Sequence, residues 1–247
     1  EYDFSDLDWQ MEQATLYNGK VILVIGRRVP RWPECHQPLW LANLSSTGQE
    51  QALLTYLATI VNHYKNHPAL KIWQVENEPF LELFGHCPAR NKPLLIQEIS
   101  QVKKIDPLHP IMVTDSGELA TWLRTRNLTE YLGTSAYRIV YNPWLGYVNY
   151  GYFVPPSYYR LKAQLINKPA EKIIVSELQA EPWVPADLVE TPPPEQAKSM
   201  DIKRFQANIE FGKKLGFSEV YWWGVEWWYW MKTQGDGAFW QTAKTLF

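Results

Sequence analysis

Ile72-Trp73-Gln74-Val75-Glu76-Asn77-Glu78-Pro79 is the stretch that decides the fold. Its apolar opening reads as a buried strand, and Pro79 marks the point where that strand stops at the rim of a sheet. A second segment of the same design, Lys172-Ile173-Ile174-Val175-Ser176-Glu177-Leu178, lies far downstream. Each run ends on a carboxylate, and only a fold can bring Glu78 and Glu177 together. A parallel α/β barrel does so, because it gathers the C-terminal ends of all its strands on one face.

Working outward from these two strands, the chain alternates strand and helix, the pattern of a parallel sheet with crossover helices. Helices are expected from Ser5, read as a cap, to about Tyr17, and over Gln49–Tyr64, Lys92–Lys104, Leu119–Leu132, Tyr158–Ile166, Gln196–Leu215 (the longest) and Ala238–Leu246. Strands are expected at Lys20–Gly26, Leu70–Glu76, Ile111–Thr114, Ser135–Val140, Ile173–Ser176 and Glu219–Gly224. The long loops, Val29–Leu44, Tyr141–Pro156 and Glu181–Pro194, all follow strands, as a barrel with a functional C-terminal face requires. No linker separates two cores, so residues 1–247 read as one domain of α/β, TIM-barrel-like class with six strands.

Composition narrows the function. A net charge of −2 and scattered Lys and Arg give no electrostatic pull toward nucleic acid or an anionic membrane surface. The apolar runs are too short for a membrane span. Thirteen Trp and fourteen Tyr exceed what a core needs, and half-exposed flat rings suit the apolar faces of sugars. Cys35 and Cys87 show no zinc spacing; they fall in loops on the same face, where a disulfide is possible, but two free buried thiols are the expectation. Neither a metal site nor a phosphate loop is visible, so no cofactor is expected. The chain does not begin with Met and shows no signal peptide, which leaves its compartment open.

Asn77-Glu78-Pro79 at one strand end and Glu177 at a later one resemble glycoside hydrolase clan A, the retaining (β/α)8-barrel enzymes of the cellulase, β-mannanase and β-galactosidase kind. In that clan the acid/base follows Asn at the end of strand four and the nucleophile ends strand seven. The resemblance therefore implies Glu78 as acid/base and Glu177 as nucleophile. It also implies Tyr137 as the strand-six tyrosine that hydrogen-bonds the nucleophile, and Trp223 as the strand-eight tryptophan under the sugar. The numbering makes Lys20–Gly26 strand three, so strands one and two are missing. A sheet with two open edges invites pairing, and a homo-oligomer covering them is expected, with Trp227-Trp228-Tyr229-Trp230 supplying contact.

The remaining candidates follow from position. Asn77 suits a sugar 2-hydroxyl. Glu76, two residues before Glu78, should point to the same side of the strand, as a supporting acid or, in a different register, as the acid itself. Arg27 and His36 follow strand three and are candidates to bond a sugar hydroxyl or to hold Glu78; Glu226, just past Gly224, is a candidate for a sugar hydroxyl, and Trp183, in the loop after strand seven, for stacking on a sugar ring. The reading is a retaining β-glycosidase acting on β-linked glycosides or oligosaccharides. The alternative is a non-catalytic carbohydrate-binding barrel fragment.

Overall fold

The computed structural model describes residues 2–246. In chain order the elements are α1 (Ser5–Leu16), β1 (Val21–Ile25), α2 (Ser46–Tyr64), β2 (Leu70–Val75), α3 (Lys92–Ile105), β3 (Ile111–Asp115), β4 (Tyr131–Ala136), β5 (Ile139–Asn142) and β6 (Gly146–Asn149). They continue with α4 (Pro156–Leu165), β7 (Ile173–Gln179), α5 (Pro193–Gln196), α6 (Ile202–Leu215), β8 (Glu219–Trp223), α7 (Val225–Thr233) and α8 (Ala238–Ala243). Six strands form one sheet in the order β1-β2-β3-β4-β7-β8, while β5 and β6 make a separate antiparallel hairpin. Register is parallel for β1 with β2, β2 with β3, and β7 with β8. The fold class is the expected one: α/β, TIM-barrel-like, with six strands in the sheet. Among the described residues no helix is long and apolar enough to cross a membrane.

The chain divides into two compact units. One runs to Asp115 and takes back Leu123–Leu132; the other holds Ser116–Trp122 and the chain from Gly133 onward. The core of the first unit forms where Leu57, Ile60, Val61 and Tyr64 of α2 meet Leu23 and Ile25 of β1 and Trp73 and Val75 of β2. The fully buried Trp73 satisfies its indole N–H on Asp106 Oδ2 at 2.9 Å. Ser45 caps α2 by accepting from Gly48 N–H, and Asn91 caps α3 by accepting from Leu94 N–H.

The second unit is built around Phe205 and Ile209 of α6, Trp227 and Trp228 of α7 and Phe239 of α8. It also contains a buried cation. Lys162 on α4 donates to Gly117 O (2.6 Å), Ala120 O (2.8 Å) and Ser116 O (3.4 Å), and its ammonium stands 3.9 Å from the Trp122 ring centre. This holds the turn after β3 closed.

Several expectations are corrected. No helix forms over Leu119–Leu132: Trp122 has φ +64°, incompatible with a right-handed helix, and its indole donates to Ser116 O at 3.0 Å. The strand expected at Ser135–Val140 starts earlier, at Tyr131, and its last four positions leave the sheet, so that Ile139 and Val140 belong to the β5–β6 hairpin. Helix Gln196–Leu215 is interrupted, because Asp201 caps a new start on Arg204 N–H; α2, with 19 residues, is the longest helix. Ser5 does not cap α1; Asp3 accepts from its N–H and hydroxyl instead.

Cys35 and Cys87 are joined in a disulfide, not free, with Cα atoms 5.2 Å apart. Their loops are joined by His86 N–H donating to Pro33 O and by the Arg28 guanidinium donating to Leu81 O and Phe84 O. The Trp227–Trp230 segment is the helix α7, and it turns two of its rings inward. Trp227 Nε1 donates to Gln196 Oε1 and Trp228 Nε1 to Ala180 O, so these two are internal supports and not an exposed contact.

Candidate active site

In the first unit, β2 ends at Val75 and the chain turns through two left-handed residues, Glu76 (φ +61°) and Glu78 (φ +42°). Such φ values are unfavourable for side chains with a Cβ and persist only where surrounding bonds impose them. Here all three amides are taken up: Glu76 N–H by Ile25 O, Asn77 N–H by Arg28 O and Glu78 N–H by Thr114 Oγ1. The strand alternation expected for Glu76 and Glu78 therefore stops at Val75. Glu76 accepts Arg27 N–H on Oε1 (2.7 Å) and Arg28 N–H on Oε2 (2.6 Å). Gly26, at φ +124°, makes room for it, since a Cβ there would lie 2.7 Å from Glu76 Oε1. Burial raises the Glu76 carboxyl, which shares a hydrogen bond with the equally buried Glu98. Glu76 is thus a structural acid that fixes the Arg27–Arg28 turn.

Glu78 is buried, at 8% exposed. Asn77 beside it accepts from Thr114 Oγ1 (3.0 Å) and Gln74 Nε2 (3.3 Å) and donates to Glu34 Oε2 (3.1 Å). Glu34 is a buried carboxylate that sequence reasoning missed. Burial raises it, opposed by the Asn77 bond and the Arg28 guanidinium, whose Nε lies 3.5 Å from Glu34 Oε2. Arg28 spends its other nitrogens on Leu81 O and Phe84 O. Arg27 and His36 line a cavity of about 370 Å³ with Trp40, Leu53 and Tyr56 among others; its lining includes neither Asn77 nor Glu78. His36 is exposed, with Nε2 3.3 Å from Arg31 O.

In the second unit Glu177 sits on β7, next to a register shift against β8 between Val175 and Leu178. A bulge of this kind re-aims a side chain at a sheet end. Glu177 is 7% exposed and accepts the Tyr137 phenol on Oε2 at 2.8 Å. Trp183 meets Tyr137 edge-on, with centroids 5.0 Å apart and planes at 88°. Its own backbone is fixed at both N–H and C=O by the Ser199 hydroxyl. Tyr137, Glu177 and Trp183 therefore form one cluster.

Trp223 closes β8 and accepts Ala180 N–H on its carbonyl. Glu226 lies on the exposed first turn of α7. Behind Tyr137 stands Glu118, also missed from the sequence because its turn reads as the start of a helix. Burial pushes its carboxyl up to about 7, against the Tyr159 hydrogen bond and the Arg138 charge.

No family model matches the sequence, and no curated protein matches it. Solved structures do. Xylanase XynB from Paenibacillus barcinonensis matches with a TM-score of 0.60 at 16% identity, over 91% of this chain and 71% of the xylanase. Xylanase 10B from Thermotoga maritima gives 0.58 at 15% identity, over 90% and 68%. A β-D-glucuronidase from Dictyoglomus thermophilum gives 0.53 at 17% identity, over 86% of this chain but 35% of its own length, so the chain spans about a third of that enzyme. At these identities the likeness concerns the fold: the six-stranded sheet and its helices match a truncated form of the TIM barrel found in these xylanases and glucuronidase.

Proposed function

We propose that the chain is a retaining β-glycosidase acting on β-linked glycosides or oligosaccharides, with Glu177 as nucleophile and Glu78 as acid/base. One observation carries the reading: a buried carboxylate on β7 holds a tyrosine phenol at 2.8 Å, with a tryptophan ring edge-on to that tyrosine. A phenol donating to a carboxylate stabilises its ionised form, which a nucleophile needs. The aromatic ring beside it suits the apolar face of a sugar. The fold, shared with proteins described as xylanases and a glucuronidase, adds support.

In this reading Glu177 attacks the anomeric carbon and forms a glycosyl ester. Glu78 gives its proton to the departing glycosidic oxygen. Glu78 then takes a proton from water as that water attacks the ester, and the sugar leaves with its configuration retained. Asn77 serves the 2-hydroxyl, and Trp183 and Trp223 serve ring faces.

Hydrolysis of aryl β-glycosides tests it. Glu177→Gln should lower turnover by several orders of magnitude. Glu78→Gln should slow substrates with poor leaving groups far more than activated ones, because the latter need little proton donation. Equal losses for both leaving groups would remove Glu78 from the role of acid. Sugar binding without hydrolysis by the wild-type chain would favour a binding module instead.

A further inference from the structure

The residue that holds Glu177 is itself held in an unusual way. β4 ends at Ala136, and the next three peptide N–H groups bond to side chains. Tyr137 N–H donates to Glu118 Oε1 at 2.8 Å, while Arg138 N–H and Ile139 N–H both donate to Gln179 Oε1, at 2.8 and 2.9 Å. Gln179 completes its grip by donating from Nε2 to Ile139 O at 2.7 Å. Two side chains thus fix three successive amides, which fixes the direction in which the Tyr137 ring leaves the backbone.

Glu118 is braced in turn. Its Oε1 also accepts the Tyr159 phenol, in a short hydrogen bond. Arg138, whose guanidinium stacks 3.9 Å over Phe211, faces both Tyr159 and Glu118. The turn carrying Glu118 is closed from below by Lys162. There is no room to spare, because a Cβ on Gly117 would fall 2.1 Å from Ser135 O and 2.5 Å from Tyr159 Cε1. One end of Tyr137 is therefore anchored on the Glu118 carboxyl, and the other reaches Glu177.

We infer that Glu118 is a positioning residue for the reaction: by binding the Tyr137 amide it sets the Tyr137 phenol on the Glu177 carboxylate. The inference rests on the glycosidase reading above. It gives a role to a half-buried acid that the two-carboxylate mechanism does not use. The carboxyl keeps a lone pair for the Tyr137 amide whether or not it is ionised, so its oxygen, not its charge, does the holding. Misplacement of a reacting group by about 1 Å can cost up to about a hundredfold in rate.

The test is a double-mutant cycle on kcat and KM for an aryl β-glycoside. Glu118→Ala should lower kcat by about ten- to a hundredfold with KM within about threefold, the pattern of a group acting only through the transition state. Glu118→Gln, which keeps an oxygen for the Tyr137 amide, should recover most of that loss. In a Tyr137→Phe background, Glu118→Ala should cost no more than about twofold further, because its route to Glu177 is already cut. Should Glu118→Ala fail to fold, Tyr159→Phe replaces it, releasing the other anchor of Glu118 with an isosteric ring; the same loss of effect in the Tyr137→Phe background is expected.

Losses that multiply independently, or a rise in KM alone, would overturn the inference while leaving the glycosidase reading intact. A wild-type protein no faster than Glu177→Gln on any glycoside would overturn that reading, and this inference with it.

Discussion

Glu76 and Glu98 place two carboxyls in one buried position, and the fold keeps them there by favouring protonation. Burial raises both, and for Glu98 the charge of Glu76 adds to the effect; Glu98 Oε2 has no hydrogen-bond partner. A carboxyl whose folded pKa lies above its unfolded one binds more protons in the folded state. Its contribution to stability is complete below the unfolded value and is lost as pH rises through the folded one. Urea midpoints measured at about pH 6 and about pH 9 should therefore fall for the wild type, and fall less for Glu98→Gln, which can donate to Glu76 without ionising. Identical slopes for the two proteins would show that the pair carries no such linkage. At this scale the site was only partly legible. The Tyr137–Glu177 contact was implied by the resemblance to clan A; the residues alone left Tyr137 and Arg138 both open as partners of Glu177. Glu34 and Glu118 escaped notice because they lie in turns whose shape depends on partners distant in sequence, Asn77 for one, Tyr137 and Tyr159 for the other.

Among the elements, the strands β1, β2, β3, β7 and β8 were legible from runs of β-branched, other aliphatic and aromatic residues. β4 was misplaced because Gly133-Thr134-Ser135 lacks that signature, although all three are buried. The break before α6 was missed because the apolar periodicity runs through Met200 while Asp201 takes the capping geometry. The join of β8 to α7 is tighter than its sequence suggests. Gly224 has φ +147°, and a Cβ there would stand 2.7 Å from Ala180 C and 2.8 Å from Ala180 O. Backbone on one side and a forbidden conformation on the other leave no room for relaxation. Gly224→Ala should destabilise the protein by about 1–3 kcal/mol or more, read as a lower urea midpoint at unchanged slope. A midpoint within error of wild type would mean that the strand end shifts freely.

For the molecule as a whole, the class of fold was legible from the alternation of strands and helices, and the covalent cross-link was not. Two cysteines give no pattern, and the loops that bring them together are ordered by Arg28, Glu34 and Pro33, not by periodicity. The bond spans 52 residues within the first unit. Closing a loop of that length removes unfolded-state entropy worth about 4 kcal/mol in the chain-entropy model. The double substitution Cys35→Ser, Cys87→Ser should thus lower unfolding free energy by a few kcal/mol, about the same loss as reduction of the native protein. A variant as stable as wild type would show that the loops stay ordered without the bond. The buried Lys162 has a different consequence for the molecule in its medium. Loops lined with carbonyl oxygens often recruit sodium or potassium, and then their order depends on the bath. Here the cation is tethered to the chain and cannot be diluted, exchanged or chelated. The turn bearing Glu118 should therefore be as well formed in deionised water as in brine.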